Sequence, residues 1–147
     1  MSRTLPAARE AFVASMKRET SGAELTRLVA VLDALIKWSV ARPTVVSFHG
    51  ADSAAGVLAF QSVESKTILW SARVARGDAP KLEIYASGPE ARAKILATLN
   101  AHTRVQLVEK DRLRIGFGAL KNGAALDAVM DLLGELATTS APAASAR

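Results

Sequence analysis

The chain has 147 residues, a net charge of +5 and no cysteine, and half of its residues are hydrophobic. This length fits a single domain whose folding buries roughly two-thirds of the chain's surface. Without cysteine there are no disulfides, thiolate nucleophiles or thiolate metal sites, and a reducing, cytoplasmic location is expected. No window holds the roughly 20 consecutive apolar residues of a membrane span, and the first residues lack the apolar segment of a secretory signal. We therefore expect no membrane partner.

The positive charge is concentrated in the middle of the chain. Residues 62–121 contain eleven Lys or Arg against six Asp or Glu, whereas residues 1–61 contain seven against five and residues 122–147 one against three. Such an excess in one region favours an anionic partner, although basic side chains also serve solubility.

The first two predicted elements are helices at residues 6–19 and 21–40. Ser21 with Glu24 three residues later has the pattern of a capping box, in which each side chain binds a backbone N–H at the start of the helix. Apolar residues then recur at helical spacing on one face of the second helix: Leu25, Leu28, Val29, Leu32, Leu35 and Ile36.

Four strands follow, at residues 45–48, 56–63, 66–74 and 81–86. They are short, rich in β-branched and aromatic residues, and separated by turn-like segments. Short connections imply antiparallel pairing, because a parallel pairing needs a crossover of a dozen or more residues.

A third helix is predicted at residues 87–102, where Ser87 and Glu90 repeat the capping-box pattern. Behind it, residues 105–109 and 112–117 are expected to form a hairpin of two further strands.

The C-terminal part of the chain completes a single domain of residues 1–138. Asn122 is expected to cap a last amphipathic helix, and the small, polar residues 139–147 are expected to form a disordered tail. Helices come in blocks rather than alternating with strands, which favours an α+β fold. We expect an antiparallel sheet of about five to six strands with helices packed on one face, in the order α-α-β-β-β-β-α-β-β-α.

Alternation assigns the side chains of the strands to the two faces of the sheet. The face toward the helices is expected to hold Ile68, Trp70, Ala72, Val74, Leu82, Ile84, Ala86, Leu113, Ile115 and Phe117. The opposite face is expected to hold Thr67, Leu69, Ser71, Arg73, Lys81, Glu83, Tyr85, Arg112 and Arg114. This second set is polar and mostly basic, and it contains one aromatic residue.

Three glycines between the last strand and the last helix invite comparison with phosphate-binding loops. Gly118 and Gly123 have the glycine spacing of a Walker loop, but Lys121 precedes the second glycine, and alanines stand where a lysine and a hydroxyl are needed. Gly116 and Gly118 are instead expected at a bulge or where another backbone approaches. We expect no nucleotide cofactor here.

No catalytic constellation is complete, so a non-enzymatic role is favoured. His49 lies near Asp52 without a nucleophile elbow, and the chain's two separated histidines do not make a zinc site. One alternative is a metal-dependent nuclease in which Asp52 and the Glu64-x-Lys66 pair hold magnesium and position water, although this pair has the pattern of a turn. We expect no catalytic residue, no metal and no cofactor.

The hairpin at residues 71–81 and the polar sheet face carry the leading functional hypothesis. Guanidinium groups bind phosphates, and aromatic rings stack on bases, so the pattern predicts a small basic module that binds nucleic acid. Its candidate binding residues are Arg73, Arg76, Lys81, Tyr85, Arg112 and Arg114.

A protein-interaction domain is the alternative of similar weight. The element order resembles that of small α+β secretion chaperones, and this resemblance implies a homodimer that binds an extended protein segment. The basic balance of the chain departs from the acidic character of such chaperones. An exposed apolar helix face or an open sheet edge would support this role.

Overall fold

The computed structural model describes residues 4–50, 56–85, 89–100, 106–109, 112–121 and 123–145. Its first elements are helices α1 (Leu5–Glu19) and α2 (Gly22–Val40) and strands β1 (Val46–His49), β2 (Val57–Ser62), β3 (Ile68–Arg73) and β4 (Lys81–Tyr85). They are followed by helix α3 (Pro89–Asn100), strands β5 (Gln106–Glu109) and β6 (Arg112–Gly116), a 3-10 helix (Phe117–Lys121) and helix α4 (Gly123–Ser145). The predicted α+β class and the predicted order of elements are confirmed.

The six strands form one antiparallel sheet in the order β1-β2-β3-β4-β6-β5. The first four strands are neighbours in chain order, as their short connections require. The hairpin of β5 and β6 then folds back so that β6 pairs with β4 and β5 lies at the edge. This arrangement places Arg114 opposite Glu83 and Arg112 opposite Tyr85.

The hydrophobic core lies between the helices and one face of the sheet. The residues predicted to face the helices are buried at eight described positions: Trp70, Ala72, Val74, Leu82, Ile84, Leu113, Ile115 and Phe117. Ala86 lies outside the described residues. Of the helices in the described ranges, none combines the length and hydropathy that crossing a membrane requires.

Strict alternation fails at the start of β3. The register between β2 and β3 shifts between Phe60 and Gln61, so that Phe60 is aligned with Trp70 but Gln61 with Ile68. An extra residue in one strand reverses the alternation beyond it. The assignment of Ile68 to the core face and Leu69 to the opposite face is therefore wrong: Leu69 belongs to the buried core, and Ile68 is only partly buried.

The capping box predicted for α2 is also wrong. Ser21 is the residue that caps the helix, but its side chain makes no capping hydrogen bond. Glu24 instead accepts two hydrogen bonds from the ammonium group of Lys121, at 2.9 and 3.0 Å. A full positive charge is a stronger partner for a carboxylate than a backbone N–H. Ser87 and Asn122, the other predicted caps, lie outside the described residues.

The close backbone approach expected near Gly116 and Gly118 lies elsewhere. A Cβ atom at either glycine would meet nothing within 4 Å. At Gly56, by contrast, a Cβ would lie 2.3 Å from the carbonyl oxygen of Val74, a distance that no side chain tolerates. The carbonyl of Gly56 also accepts a hydrogen bond from the backbone N–H of Val74, at 2.9 Å. Glycine at this position therefore allows the start of β2 and the end of β3 to approach each other closely.

Helix α4 continues to Ser145, into the segment that the sequence predicts as a tail. Alanine, the strongest helix former, is frequent in this segment. The division into a domain of residues 1–138 and a disordered tail of residues 139–147 stays a prediction.

One polar link crosses the core, and it gives a test of the fold. The indole N–H of Trp70 donates to the hydroxyl of Ser39 at 2.9 Å, and this hydroxyl donates to the carbonyl of Leu35, also at 2.9 Å. Ser39→Ala leaves a buried indole N–H unpaired and should lower the free energy of unfolding by about 1–3 kcal/mol, as measured by chemical denaturation.

Ser15→Ala is the matched control for this prediction. Ser15 is equally buried and donates to the carbonyl of Ala11, but its hydroxyl accepts no side-chain hydrogen bond within the described part of the chain. Equal losses of stability in the two variants would contradict the importance assigned to the Trp70 link.

Candidate functional site

Five of the six predicted nucleic-acid-binding residues lie on the sheet face opposite the hydrophobic core, here called the outer face. They are Arg73, Lys81, Tyr85, Arg112 and Arg114. Residues directly opposite each other in an antiparallel pair share a face, and the register pairs Arg73 with Lys81 and Tyr85 with Arg112. Arg76 is exposed in the connection between β3 and β4.

The arginines of the outer face surround one carboxylate. Glu83, at the middle of β4, is only 1% exposed. Its Oε1 atom contacts Nε of Arg73 at 3.1 Å and a terminal nitrogen of Arg112 at 3.2 Å. Its Oε2 atom accepts two hydrogen bonds from Arg114, at 3.2 and 2.9 Å. Glu83 and these three arginines are called the Glu83 cluster below.

The sheet register is what assembles the Glu83 cluster. Arg114 lies on β6, directly opposite Glu83. Arg73 lies on β3, two positions from the residue that is opposite Glu83 on that strand. Neighbouring strands are about 4.8 Å apart, so long side chains from both sides reach the carboxylate. The cluster contains three positive charges against one negative charge.

The environment of Glu83 favours its ionised form. Burial alone would raise the pKa of the Glu83 carboxyl, because it penalises the charged state. The hydrogen bond from Arg114 and the charges of the three guanidinium groups outweigh burial, and the pKa of Glu83 lies below its ordinary value. The carboxylate is therefore a fixed negative centre at neutral pH.

The aromatic and the lysine of the outer face lie on either side of the Glu83 cluster along β4. The guanidinium carbon of Arg112 lies 5.8 Å from the centre of the Tyr85 ring, within the range of a cation–π contact. At the other end of the strand, the ammonium of Lys81 lies 3.7 Å from a carboxylate oxygen of Asp78. Both side chains therefore continue the polar surface that the arginines begin.

The connection between β3 and β4 lies against the body of the protein. Its tip residue Gly77 has a positive φ of 83°, which glycine adopts without strain. The backbone N–H of Gly77 donates to the carboxylate of Glu19 at the end of α1, at 3.0 Å. Arg76 is thus held at the rim of the molecule rather than on a long projecting arm.

Of the residues considered for the alternative chemistries, His49, Glu64 and Lys66 lie within the described ranges. Glu64 lies in the turn between β2 and β3, and Lys66 follows it with a positive φ of 62°. Asp52, their proposed metal-binding partner, lies outside the described residues. Within the described ranges, no group of three or more His, Asp or Glu side chains is placed to hold a metal ion. His49 contacts the amide oxygen of Gln61 through Nδ1, at 3.2 Å.

Comparison of the chain with models of protein families, with curated proteins and with solved structures finds no match. The functional assignment therefore depends on the residues of the site alone.

The pairing of Glu83 is the feature of the site that the sequence did not predict. Alternation correctly placed Glu83 beside Arg73 and Arg114 on one face, but it did not show which strands are neighbours. A single acidic residue among four basic ones on one predicted face was the available signal. Such a pattern indicates a shared counter-ion whenever the strands pair directly.

Glu83→Gln should lower the free energy of unfolding by about 2 kcal/mol at neutral pH, as expected for the loss of hydrogen bonds to a charged group. Because the folded-state pKa is lowered, the ionised carboxylate stabilises the fold fully above the ordinary glutamate pKa of about 4.3. This contribution is lost as the pH falls from there through the lowered value. The difference between wild type and variant should thus shrink below a pH of about 4, which unfolding curves at several pH values measure.

Glu64→Gln is the charge-matched control, because Glu64 is exposed in a turn. It should leave the free energy of unfolding within about 0.5 kcal/mol of wild type. A Glu83→Gln difference that does not change between neutral and acidic pH would contradict the role given to the ionised carboxylate.

Proposed function

We propose that the protein binds single strands of nucleic acid through its outer face, with the arginines of the Glu83 cluster contacting phosphate groups. The observation that carries this proposal is the gathering of three guanidinium groups around one buried carboxylate on the sheet face opposite the hydrophobic core.

The charge and donor balance of the Glu83 cluster supports an anionic ligand. Each guanidinium group has five N–H donors, whereas one carboxylate offers about four acceptor positions. The three arginines therefore carry more N–H donors than Glu83 alone can accept. A planar guanidinium fork binds phosphate as readily as it binds carboxylate.

Glu83 also prepares the arginines for binding. An arginine side chain loses considerable rotamer entropy when a ligand fixes it. The contacts with Glu83 hold Arg112 and Arg114 in place before any ligand arrives, and this lowers the entropic cost of binding. The Arg73 side chain also contacts Glu83 but is 48% exposed, so it has the most access to solvent of the three.

Tyr85 supports a single strand rather than a duplex. Its ring lies on the outer face beside Arg112, and bases of single strands stack on aromatic rings that are flanked by basic side chains. In a duplex the bases are already stacked on each other, so a flat sheet face reaches phosphates alone. Because the Glu19 contact holds the 74–80 connection against the body, contacts by the sheet face are favoured over insertion of this connection into a groove.

The protein-interaction alternative has less support from the surface. Among the described residues, Val40 is the one large apolar side chain that is exposed, at 54%. A stable protein interface has an apolar centre of several side chains. The charged outer face therefore favours an anionic polymer over a hydrophobic partner.

The salt dependence of binding tests the proposal. Each phosphate contact should contribute about 0.7 to the log–log salt slope on a single strand. Replacing Arg73 and Arg76 together by Gln should lower this slope by about one to two units and leave the circular dichroism spectrum unchanged. Fluorescence anisotropy with labelled single-stranded DNA and RNA at four salt concentrations measures the slope.

A double substitution on the helical layer controls for the loss of net charge. Arg27 and Lys37 are exposed on α2, and replacing both by Gln removes the same charge from the other side of the molecule. This variant should keep the wild-type slope. If wild type shows no binding at low salt, or if both double variants behave alike, the nucleic-acid proposal fails and the protein-interaction alternative takes its place.

Substitution of the tyrosine tests the preference for single strands. Tyr85→Leu should weaken binding to single strands by about 1–3 kcal/mol and change binding to duplex much less, because stacking needs an open base. Tyr85→Phe keeps the ring and should retain most of the affinity. Equal losses on single strands and duplex would contradict stacking on Tyr85.

A further inference from the structure

The Ser71 hydroxyl on the outer face has no hydrogen-bond partner among the described residues. Ser71 lies on β3 directly opposite Glu83 on one side and Ala59 on the other. It is 2% exposed, and its hydroxyl makes no hydrogen bond within the described part of the chain. Buried hydroxyl groups are nearly always hydrogen-bonded, because an unpaired one costs stability.

The Glu83 cluster explains why the Ser71 hydroxyl makes no hydrogen bond to the Glu83 carboxylate. Glu83 is the residue directly opposite Ser71 on β4, and its carboxylate offers about four acceptor positions. Four nitrogen contacts from the three arginines already occupy its two oxygens. These charge-assisted contacts are stronger than a hydrogen bond from a neutral hydroxyl. The arginines therefore bind the Glu83 oxygens, and Ser71 does not. Its other cross-strand neighbour, Ala59, offers only a methyl group.

We propose that the Ser71 hydroxyl, together with Arg73 and Arg114, forms a subsite for one phosphate group. This inference deepens the proposed function, since the nucleic-acid strand would supply the phosphate. The hydroxyl donates to one phosphate oxygen, and the donors of the two guanidinium groups that Glu83 does not use bind the others. A phosphate oxygen of the ligand thus accepts the hydrogen bond that the Ser71 hydroxyl does not donate within the described residues.

Access to the subsite requires a small movement of Arg73. This residue lies two positions along β3 from Ser71, on the same face. Its side chain is half exposed and touches Glu83 through Nε, so it can turn outward. Arg112 and Arg114 continue to hold the Glu83 carboxylate while Arg73 follows the phosphate.

If Ser71 binds phosphate, its substitution should affect ligand binding and stability differently from the substitution of a serine with a purely structural role. Ser71→Ala removes an unsatisfied buried group, so the unfolding midpoint should stay equal to wild type or rise. The same change should weaken binding roughly 3- to 10-fold, as the loss of one hydrogen bond does. The log–log salt slope should stay unchanged, because a neutral hydroxyl releases no counter-ion.

The experiment compares wild type, Ser71→Ala and the buried-serine control Ser15→Ala with three probes. A single-stranded oligonucleotide with a 5′-hydroxyl offers phosphodiesters alone, the same oligonucleotide with a 5′-phosphate adds a terminal monoester, and inorganic phosphate offers the group by itself. If Ser71→Ala loses the same factor of binding affinity for both oligonucleotides, the subsite binds a backbone phosphodiester. A larger loss with the phosphorylated oligonucleotide assigns it to a strand end.

The outcomes separate this inference from the function on which it rests. Salt-dependent oligonucleotide binding that is identical in wild type and Ser71→Ala overturns the subsite and leaves the proposed function standing. Saturable binding of inorganic phosphate that is weakened by Ser71→Ala, without any oligonucleotide binding, supports the subsite and overturns the function. Binding of no probe by the wild-type protein overturns both. A Ser71→Ala variant that unfolds more easily than wild type also overturns the inference, because the hydroxyl would then have a partner in the fold.

Discussion

The contact between the Glu83 carboxylate and three arginines is the interaction on which the outer face depends. Without it, three positive charges would repel one another on neighbouring strands, and their side chains would be free to spread into solvent. With it, Arg73, Arg112 and Arg114 are drawn to one point at the middle of the sheet. The carboxylate of Glu83 compensates one of the three positive charges that these arginines carry. The arginines of this structural ion pair are the side chains that the proposed function uses.

The arginine contacts that occupy both Glu83 oxygens also affect Ser71, because they leave no acceptor position on Glu83 for its hydroxyl. Most buried polar groups are hydrogen-bonded within the fold, and each one that is not requires an explanation. Here the orphan hydroxyl lies beside the arginines that the proposed function uses. The proposed subsite uses both the Ser71 hydroxyl and the N–H donors that Glu83 does not take up.

Much of the fold follows from local patterns in the sequence, and the exceptions have physical causes. Helical periodicity and strand alternation predict the elements and the two faces, because both depend on near neighbours in the chain. The bulge that reverses Ile68 and Leu69 depends on how β2 meets β3. The engagement of Glu24 by Lys121 joins residues that are far apart in sequence. The composition of the outer face was thus predictable, whereas the Glu83 cluster was not, since it requires β6 rather than β5 beside β4.

The most direct measurement of the central claim follows the side-chain Nε–Hε signals of the arginines by NMR while a single-stranded oligonucleotide is added. Single Arg→Lys substitutions assign the signals. We expect resolved signals for Arg73, Arg112 and Arg114 in the unbound protein, because Glu83 holds these groups, and we expect all three to shift on titration. The signal of Arg9, which pairs with Asp33 between α1 and α2, should not move. Unshifted signals in the Glu83 cluster, or equal shifts at Arg9, would contradict a phosphate-binding role for the outer face.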